Sequence, residues 1–189
     1  MSAVEDTILG IRQELTSFMN GESALAMRRR GIEYKLNYGV SLPDLRKIAA
    51  GHPHDRKLAD ALWKQECREC MMLGAMLYPV ESFFPEMADL WLERIVYPDL
   101  AEVCSAFLFP LMKEASAVSM RWIASDSPMA RYCGFLTMAH LLREGREMNA
   151  GCRDELEDQV KTALQSHDAL TREGAAAVMQ MLENVRDGE

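Results

Sequence analysis

The fold is decided by the stretch Asn37–Pro79, which reads NYGVSLPDLRKIAAGHPHDRKLADALWKQECRECMMLGAMLYP. Ser41 is a favourable N-cap residue and Pro43 suits a first helical turn, so a helix is expected to begin here. After a Gly-His-Pro break, a second, amphipathic helix ends at Trp63. The third segment, residues 66–78, is apolar on nearly every side, which is typical of a buried helix. The stretch therefore predicts an outer amphipathic helix laid on an inner buried helix.

The same unit recurs along the chain. Four dipeptides each close an outer helix: Leu62-Trp63, Leu90-Trp91, Arg121-Trp122 and Ala163-Leu164. An inner apolar helix follows each of them, beginning near Glu66, Pro98, Met129 and Leu170. Helix pairs of roughly 30 to 45 residues that cannot bury their apolar faces alone indicate repeats of the HEAT or armadillo kind, whose inner helices line a concave surface.

The sequence lacks the alternation of apolar and polar residues that marks strands. We therefore predict an all-α fold, an α-solenoid of HEAT-like antiparallel helix pairs with about eleven helices. The 189 residues are expected to form a single domain. Its N-terminal cap is expected over about residues 1–36, and its repeats over about residues 37–186.

Charge is unevenly distributed along the chain. The net charge is −8, which argues against indiscriminate nucleic-acid binding, because proteins that grip phosphates usually carry a basic footprint. Between Arg28 and Lys64, however, nine basic residues stand against four acidic ones, whereas the segment from Glu144 onward is acidic. The composition is therefore compatible with a local basic surface.

Hydropathy and cysteine usage favour a cytoplasmic location. The chain has no run of about 18 apolar residues, so no membrane span is expected. Its N-terminus is unlike a signal peptide, and its five cysteines read as reduced thiols. Cys67 and Cys70 form a C-x-x-C pair without the second pair of ligands that a zinc site needs, so both are expected in the core. His140 is likewise expected to be a core histidine, and no metal or cofactor is predicted.

Arginines near the starts of three inner helices are candidate nucleic-acid ligands: Arg68, Arg131 and Arg172. A row of guanidinium groups on the concave face would suit DNA phosphates. The structural alternative is an ion pair with a neighbouring carboxylate, and the sequence offers Glu66, Asp126 and Asp168. Three further candidates for contact with nucleic acid lie in the basic segment: Arg28, Arg46 and Lys47.

Glu102 is the candidate catalytic group. It follows Asp99 near the start of the inner helix that comes after Trp91. The helix dipole favours carboxylates at such positions, which is a sufficient structural explanation for both residues. The functional alternative is a carboxylate that faces the groove, where it stabilises a developing cation or positions a water molecule.

These motifs resemble the AlkD-type DNA alkylation repair family, whose members are built of HEAT-like repeats. The resemblance rests on a glycine turn, a Pro-x-Leu-Arg helix, a Leu-Trp pair and a Glu-x-Arg opening, at Gly39-Val40, Pro43 to Arg46, Leu62-Trp63 and Glu66 to Arg68. It continues more weakly to the C-terminus. It implies a bacterial-type repair protein that binds double-stranded DNA.

The resemblance also implies an activity. Active members of this family excise N3- and N7-alkylated purines without extruding the base, and their groove holds two tryptophans, an aspartate and an arginine. The arginine matches Arg131 and the aspartate falls on Glu102, whereas the tryptophans fall on Pro98 and near Ala177. Two interpretations follow: a DNA glycosylase with Glu102 as its carboxylate, or an inactive scaffold that binds a protein or peptide in the groove.

Overall fold

The computed structural model describes residues 3–146 and 148–187, without the side chains of residues 150 and 185–187. Over these ranges the chain forms eleven α-helices and no β-strand, which confirms the predicted all-α class. The helices are α1 (Ala3–Ser17), α2 (Gly21–Arg29), α3 (Leu42–Ala50), α4 (Arg56–Trp63), α5 (Arg68–Leu77), α6 (Pro85–Leu92), α7 (Pro98–Phe107), α8 (Ala115–Ile123), α9 (Pro128–Arg143), α10 (Ala150–Leu164) and α11 (Ala169–Asp187). None of the helices described is long and apolar enough to cross a membrane.

The chain divides into two compact units at the link between Ser82 and Phe83. Unit 1 contains α1 to α5, and unit 2 contains α6 to α11. The single domain with an N-terminal cap stays a prediction.

Unit 1 is built around α5, all ten residues of which are buried. Helices α3 and α4 pack on α5, and α1 packs on α3 and α4. Helix α3 begins as predicted, because the Ser41 hydroxyl accepts a hydrogen bond from the Asp44 N–H at 3.3 Å. Helix α5 begins two residues later than predicted, because the backbone of Glu66 and Arg68 pairs instead with both polar groups of Leu36.

Unit 2 is built around α9, which packs against α7, α8 and α11, while α10 packs on α11. Two glycines allow the close approach of neighbouring helices. A Cβ atom at Gly134 would lie 2.8 Å from the Ser119 carbonyl oxygen, and one at Gly174 would lie 2.9 Å from Phe135 Cβ. The predicted pairing of α8 with α9 and of α10 with α11 is observed.

The tryptophans that mark the repeat are buried at or near the ends of their helices: Trp63 in α4, Trp91 in α6 and Trp122 in α8. In unit 2, Trp91 packs edge-on against Phe83, with ring centroids 5.3 Å apart. Trp122 packs in the same way against Phe109, at 5.0 Å. Large rings buried at these helix ends explain why the dipeptide signal recurs in the sequence.

Candidate functional site

Three polar side chains occupy the same register on neighbouring helices of unit 2. Glu102, Tyr132 and Glu173 are each the fifth residue of their helix, in α7, α9 and α11. The Tyr132 hydroxyl donates a hydrogen bond to Glu102 Oε1 at 3.3 Å. Because α9 packs between α7 and α11, the three residues form one group, which we call the Tyr132 cluster.

The environment of Tyr132 keeps its phenol protonated. Its side chain is buried, with only 1% of the residue exposed, whereas Glu102 is exposed. Burial is the main effect that raises the pKa of Tyr132, and the charges of Glu102 and Glu173 raise it further. A protonated phenol can only donate to the carboxylate, so it fixes the orientation of an acid group that faces solvent.

Two of the predicted arginines lie beside this cluster in sequence. Arg131 and Arg172 directly precede Tyr132 and Glu173 on α9 and α11. Arg131 is half-buried, and its Nε is buried without a hydrogen-bond partner among the residues described. Arg172 is exposed, and its Nη1 donates to the Ser166 carbonyl oxygen at 2.7 Å. Unit 2 therefore brings two arginines and two carboxylates onto three adjacent helices.

Arg68 lies in unit 1 and has a structural environment. It is 8% exposed, its Nη1 lies 2.9 Å from Glu69 Oε1, and it also donates to the Val40 carbonyl oxygen at 3.3 Å. Glu69 is fully buried and accepts the N–H groups of Tyr38 and Val40 at 3.0 and 3.2 Å. Arg68 therefore forms an ion pair with a neighbouring carboxylate, which was the structural alternative to a phosphate contact, and Glu69 is a partner in it. Little of the Arg68 surface is left for a ligand.

The other predicted basic contacts are exposed on unit 1: Arg28 on α2, and Arg46 and Lys47 on α3. Lys47 pairs with Asp44 at 2.7 Å, and its Nζ lies 5.9 Å from the centre of the Phe18 ring. Hydrogen bonds from Lys47 and Ser41 hold the pKa of Asp44 below its usual range. Such exposed ion pairs are weak, so these cations remain accessible to a phosphate.

The thiols of Cys67 and Cys70 are buried in unit 1, as expected for core cysteines. Among the described residues, no group of three or more His, Cys, Asp or Glu side chains is arranged to hold a metal ion. His140, expected in the core, is half-buried and accepts a hydrogen bond at Nδ1 from Arg143 Nη2 at 2.6 Å. Burial is the main effect that lowers the pKa of His140.

The positions that the family resemblance assigns to aromatic residues carry small side chains. Pro98 is the first residue of α7, where it suits the helix start. Ala177 on α11 lines a cavity of about 170 Å³ in unit 2, together with Leu136 and His140 of α9. The site therefore offers the carboxylate of Glu102 and the phenol of Tyr132. The cavity lies farther along α9 and α11.

Sequence reasoning missed Tyr132 and Glu173. Both directly follow arginines that the sequence had singled out, and both share the register of Glu102 within their helices. Aligning the inner helices by their start signals, Tyr97-Pro98, Ser127-Pro128 and Asp168-Ala169, would have placed the three side chains together.

Comparison with known proteins agrees with this architecture. The model of the family described as "DNA alkylation repair enzyme" matches residues 11–184. One solved structure, described as "A new family of proteins related to the HEAT-like repeat DNA glycosylases with affinity for branched DNA structures", matches with a TM-score of 0.81. The match has 18% sequence identity and covers 92% of this chain and 74% of that one, so it establishes the HEAT-like fold alone. Comparison with curated proteins finds no significant match. Because the family model covers most of its length, this chain belongs to the DNA alkylation repair enzyme family.

Proposed function

We propose that this protein binds double-stranded DNA and excises purines alkylated at N3 or N7, with Glu102 as the catalytic carboxylate. The observation that carries the proposal is the geometry of Glu102, an exposed acid on α7 that accepts a hydrogen bond from the buried phenol of Tyr132. Membership of the DNA alkylation repair family supports DNA as the ligand.

The chemistry of the lesion matches the charge of the Tyr132 cluster. A purine alkylated at N3 or N7 is cationic, and its glycosidic bond breaks readily because the base departs as a neutral molecule. Positive charge then develops on the sugar, as in other glycosidic cleavages, and a fixed carboxylate stabilises it. Glu102 supplies this carboxylate, Tyr132 holds it in position, and Glu173 adds negative potential.

The arginines offset the repulsion that these carboxylates exert on DNA phosphates. Arg131 and Arg172 directly precede Tyr132 and Glu173 on α9 and α11, so each adds a positive charge to a helix that carries one of these side chains. On unit 1, Arg28, Arg46 and Lys47 supply further exposed positive charge. A repair protein of this kind, with reduced cysteines, fits the cytoplasm of a bacterium.

Release of 7-methylguanine from methylated duplex DNA tests the catalytic proposal. The native protein is expected to release the base, and Glu102→Gln is expected to do so about 10²-fold more slowly, since it removes one preorganised electrostatic group. Tyr132→Phe keeps the ring and removes only the hydroxyl, so a smaller loss is expected. Release no faster than from DNA alone would contradict the proposal, as would equal rates for the native protein and Glu102→Gln.

A second candidate function is a scaffold without catalytic activity that binds a protein or peptide. The small residues Pro98 and Ala177 at the family's aromatic positions favour it, as does the acidic Tyr132 cluster, which would suit a basic peptide. Salt dependence separates the candidates, because the logarithm of a duplex affinity falls linearly with the logarithm of salt concentration. A four-way junction belongs among the DNA probes, since the similar solved structure is described by its affinity for branched DNA.

A further inference from the structure

Unit 1 contains a cavity that the proposed chemistry does not use. Its volume is about 320 Å³, within the range of about 300 to 1,000 Å³ that small-molecule sites occupy. It lies between α2 and the connector that leads to α3. Its lining consists of Gly21, Ala24, Leu25, Arg28, Ile32, Tyr34, Lys35, Leu36 and Asn37.

Helix α2 turns one of its faces to this cavity. Gly21, Ala24, Leu25 and Arg28 have the i, i+3, i+4, i+7 spacing of one helical face, and all four line the cavity. The helix has nine residues, none of which is buried. A helix this short is marginal in water and is normally stabilised by packing of its apolar face. The α2 face therefore lacks the burial that such a helix usually has.

Apolar surface is left open on both walls of the cavity. Leu25 on α2 is 47% exposed, and Leu36 on the opposite connector is 38% exposed. Gly21 and Ala24 are small, so the space between the walls stays unfilled. An occupant with a flat apolar body would bury both leucines.

The polar groups of the cavity suit an anion attached to that body. Arg28 contributes a guanidinium, which matches the geometry of a phosphate, and Tyr34 contributes an aromatic ring. Lys35 pairs with Glu66, and both side chains are largely exposed, so the pair can be exchanged for a phosphate at little cost. Apolar walls, an aromatic ring and cations together are the usual platform for single-stranded nucleotides.

We propose that this cavity binds one unpaired nucleotide of DNA, with its base between α2 and the connector and its phosphate at Arg28. The inference rests on the proposed DNA binding and adds a preference for DNA with unpaired positions. It concerns unit 1 and is independent of excision at Glu102.

Two matched substitutions on α2 test the proposal. Ala24→Leu fills the cavity without changing charge, whereas Ala26→Leu adds the same side chain at an exposed position that does not line it. The probes are a fluorescein-labelled duplex and the same duplex with one extra unpaired thymidine, compared by fluorescence anisotropy. The native protein and Ala26→Leu are expected to bind the bulged duplex at least about fivefold more tightly, as one stacked base would provide. Ala24→Leu is expected to bind both duplexes equally.

The outcomes separate this proposal from the proposed function. If Ala24→Leu binds both probes as the native protein does, the cavity proposal is wrong while DNA binding stands. If the native protein shows no preference for the bulge, the cavity proposal is wrong as well. If neither probe is bound, both proposals fail. Should circular dichroism show that Ala24→Leu is unfolded, Arg28→Ala and its neighbour Arg29→Ala replace the pair, with loss of the preference expected for Arg28→Ala alone.

Discussion

The two units of this protein carry very different charge. The sequence up to Ser82 has eleven basic and eleven acidic residues, whereas the sequence from Phe83 onward has ten basic and eighteen acidic. The whole net charge of −8 therefore belongs to unit 2. The net charge of the whole chain argues against binding to phosphates. Unit 1, however, is neutral overall and has exposed arginines and lysines.

The inner helices of the two units also use carboxylates differently. Glu69, the second residue of α5, is fully buried and holds the backbone of Tyr38 and Val40. Glu102, the fifth residue of α7, is exposed and accepts a hydrogen bond from a side chain. A glutamate buried away from water, such as Glu69, must be paired and so has a structural role. An exposed glutamate, such as Glu102, can still meet a ligand.

The largest expected effect is the loss of folding stability when the buried carboxylate of unit 1 is removed. Glu69→Ala leaves the guanidinium of Arg68 buried without this partner and removes the acceptor of two backbone N–H groups. Breaking a buried ion pair from one side costs about 3 to 5 kcal/mol. Urea unfolding measures the loss, and Glu66→Ala, at an exposed pair with Lys35, is the control that should change little. Equal effects of the two substitutions would contradict the distinction between buried and exposed carboxylates.

A pair of glycine substitutions compares packing in the two units. Gly134→Ala places a methyl group 2.8 Å from the Ser119 carbonyl oxygen, so helices α8 and α9 must separate. Overpacking of this kind costs about 1 to 3 kcal/mol. Gly10→Ala meets no atom within 4 Å on α1 and is expected to stabilise the protein by about 0.5 to 1 kcal/mol. Thermal unfolding should give shifts of opposite sign, and shifts of the same sign would show that the α8–α9 contact is looser than described.

Substitution of Arg131, which precedes Tyr132 on α9, tests whether acidic unit 2 contributes to DNA binding. Arg131→Ala is expected to weaken duplex affinity and to reduce the slope of log affinity against log salt by about 1, the value for one lost phosphate contact. Arg153→Ala, on α10 and paired with Glu157, is the matched control. A slope unchanged from that of the native protein would confine phosphate binding to unit 1.

The smallest effect concerns His140 in unit 2. Burial and the neighbouring Arg143 lower its pKa in the folded state, so the unfolded chain binds a proton more readily. The contribution of His140 to stability is therefore complete above its unfolded pKa and declines as the pH falls below it. The melting temperature of the native protein should fall more between pH 7 and pH 5.5 than that of His140→Gln. Parallel profiles for the native protein and His140→Gln would contradict the assignment.

Local signals in the sequence predicted most of the fold. The Ser41 cap, the apolar segment that forms α5 and the tryptophans at helix ends each depend on residues close together in the chain. The starts and ends of helices therefore follow from short patterns, as does the repetition of helix pairs. The start of α5 differs by two residues because a distant segment, Leu36, pairs with its backbone.

The candidate site was only partly predictable, because it depends on the packing between helices. Glu102 and Arg131 followed from position and resemblance, but the contact between Tyr132 and Glu102 joins residues thirty positions apart. The burial of Arg68 depends on Glu69 and on the Val40 carbonyl, neither of which a pattern of spacing reveals. The cavity beside α2 accompanies a short helix that buries none of its residues, a property of the tertiary packing that the sequence pattern does not reveal.

Hydrogen exchange of the backbone amides, measured on the protein saturated with duplex DNA, tests most directly whether both units contact DNA. We expect slowed exchange in unit 1 over α2 and α3, and in unit 2 at the first turns of α7, α9 and α11. Helix α10, whose exposed face is acidic, should exchange as it does in the free protein. Protection confined to α10, or no protection in either unit, would contradict the account.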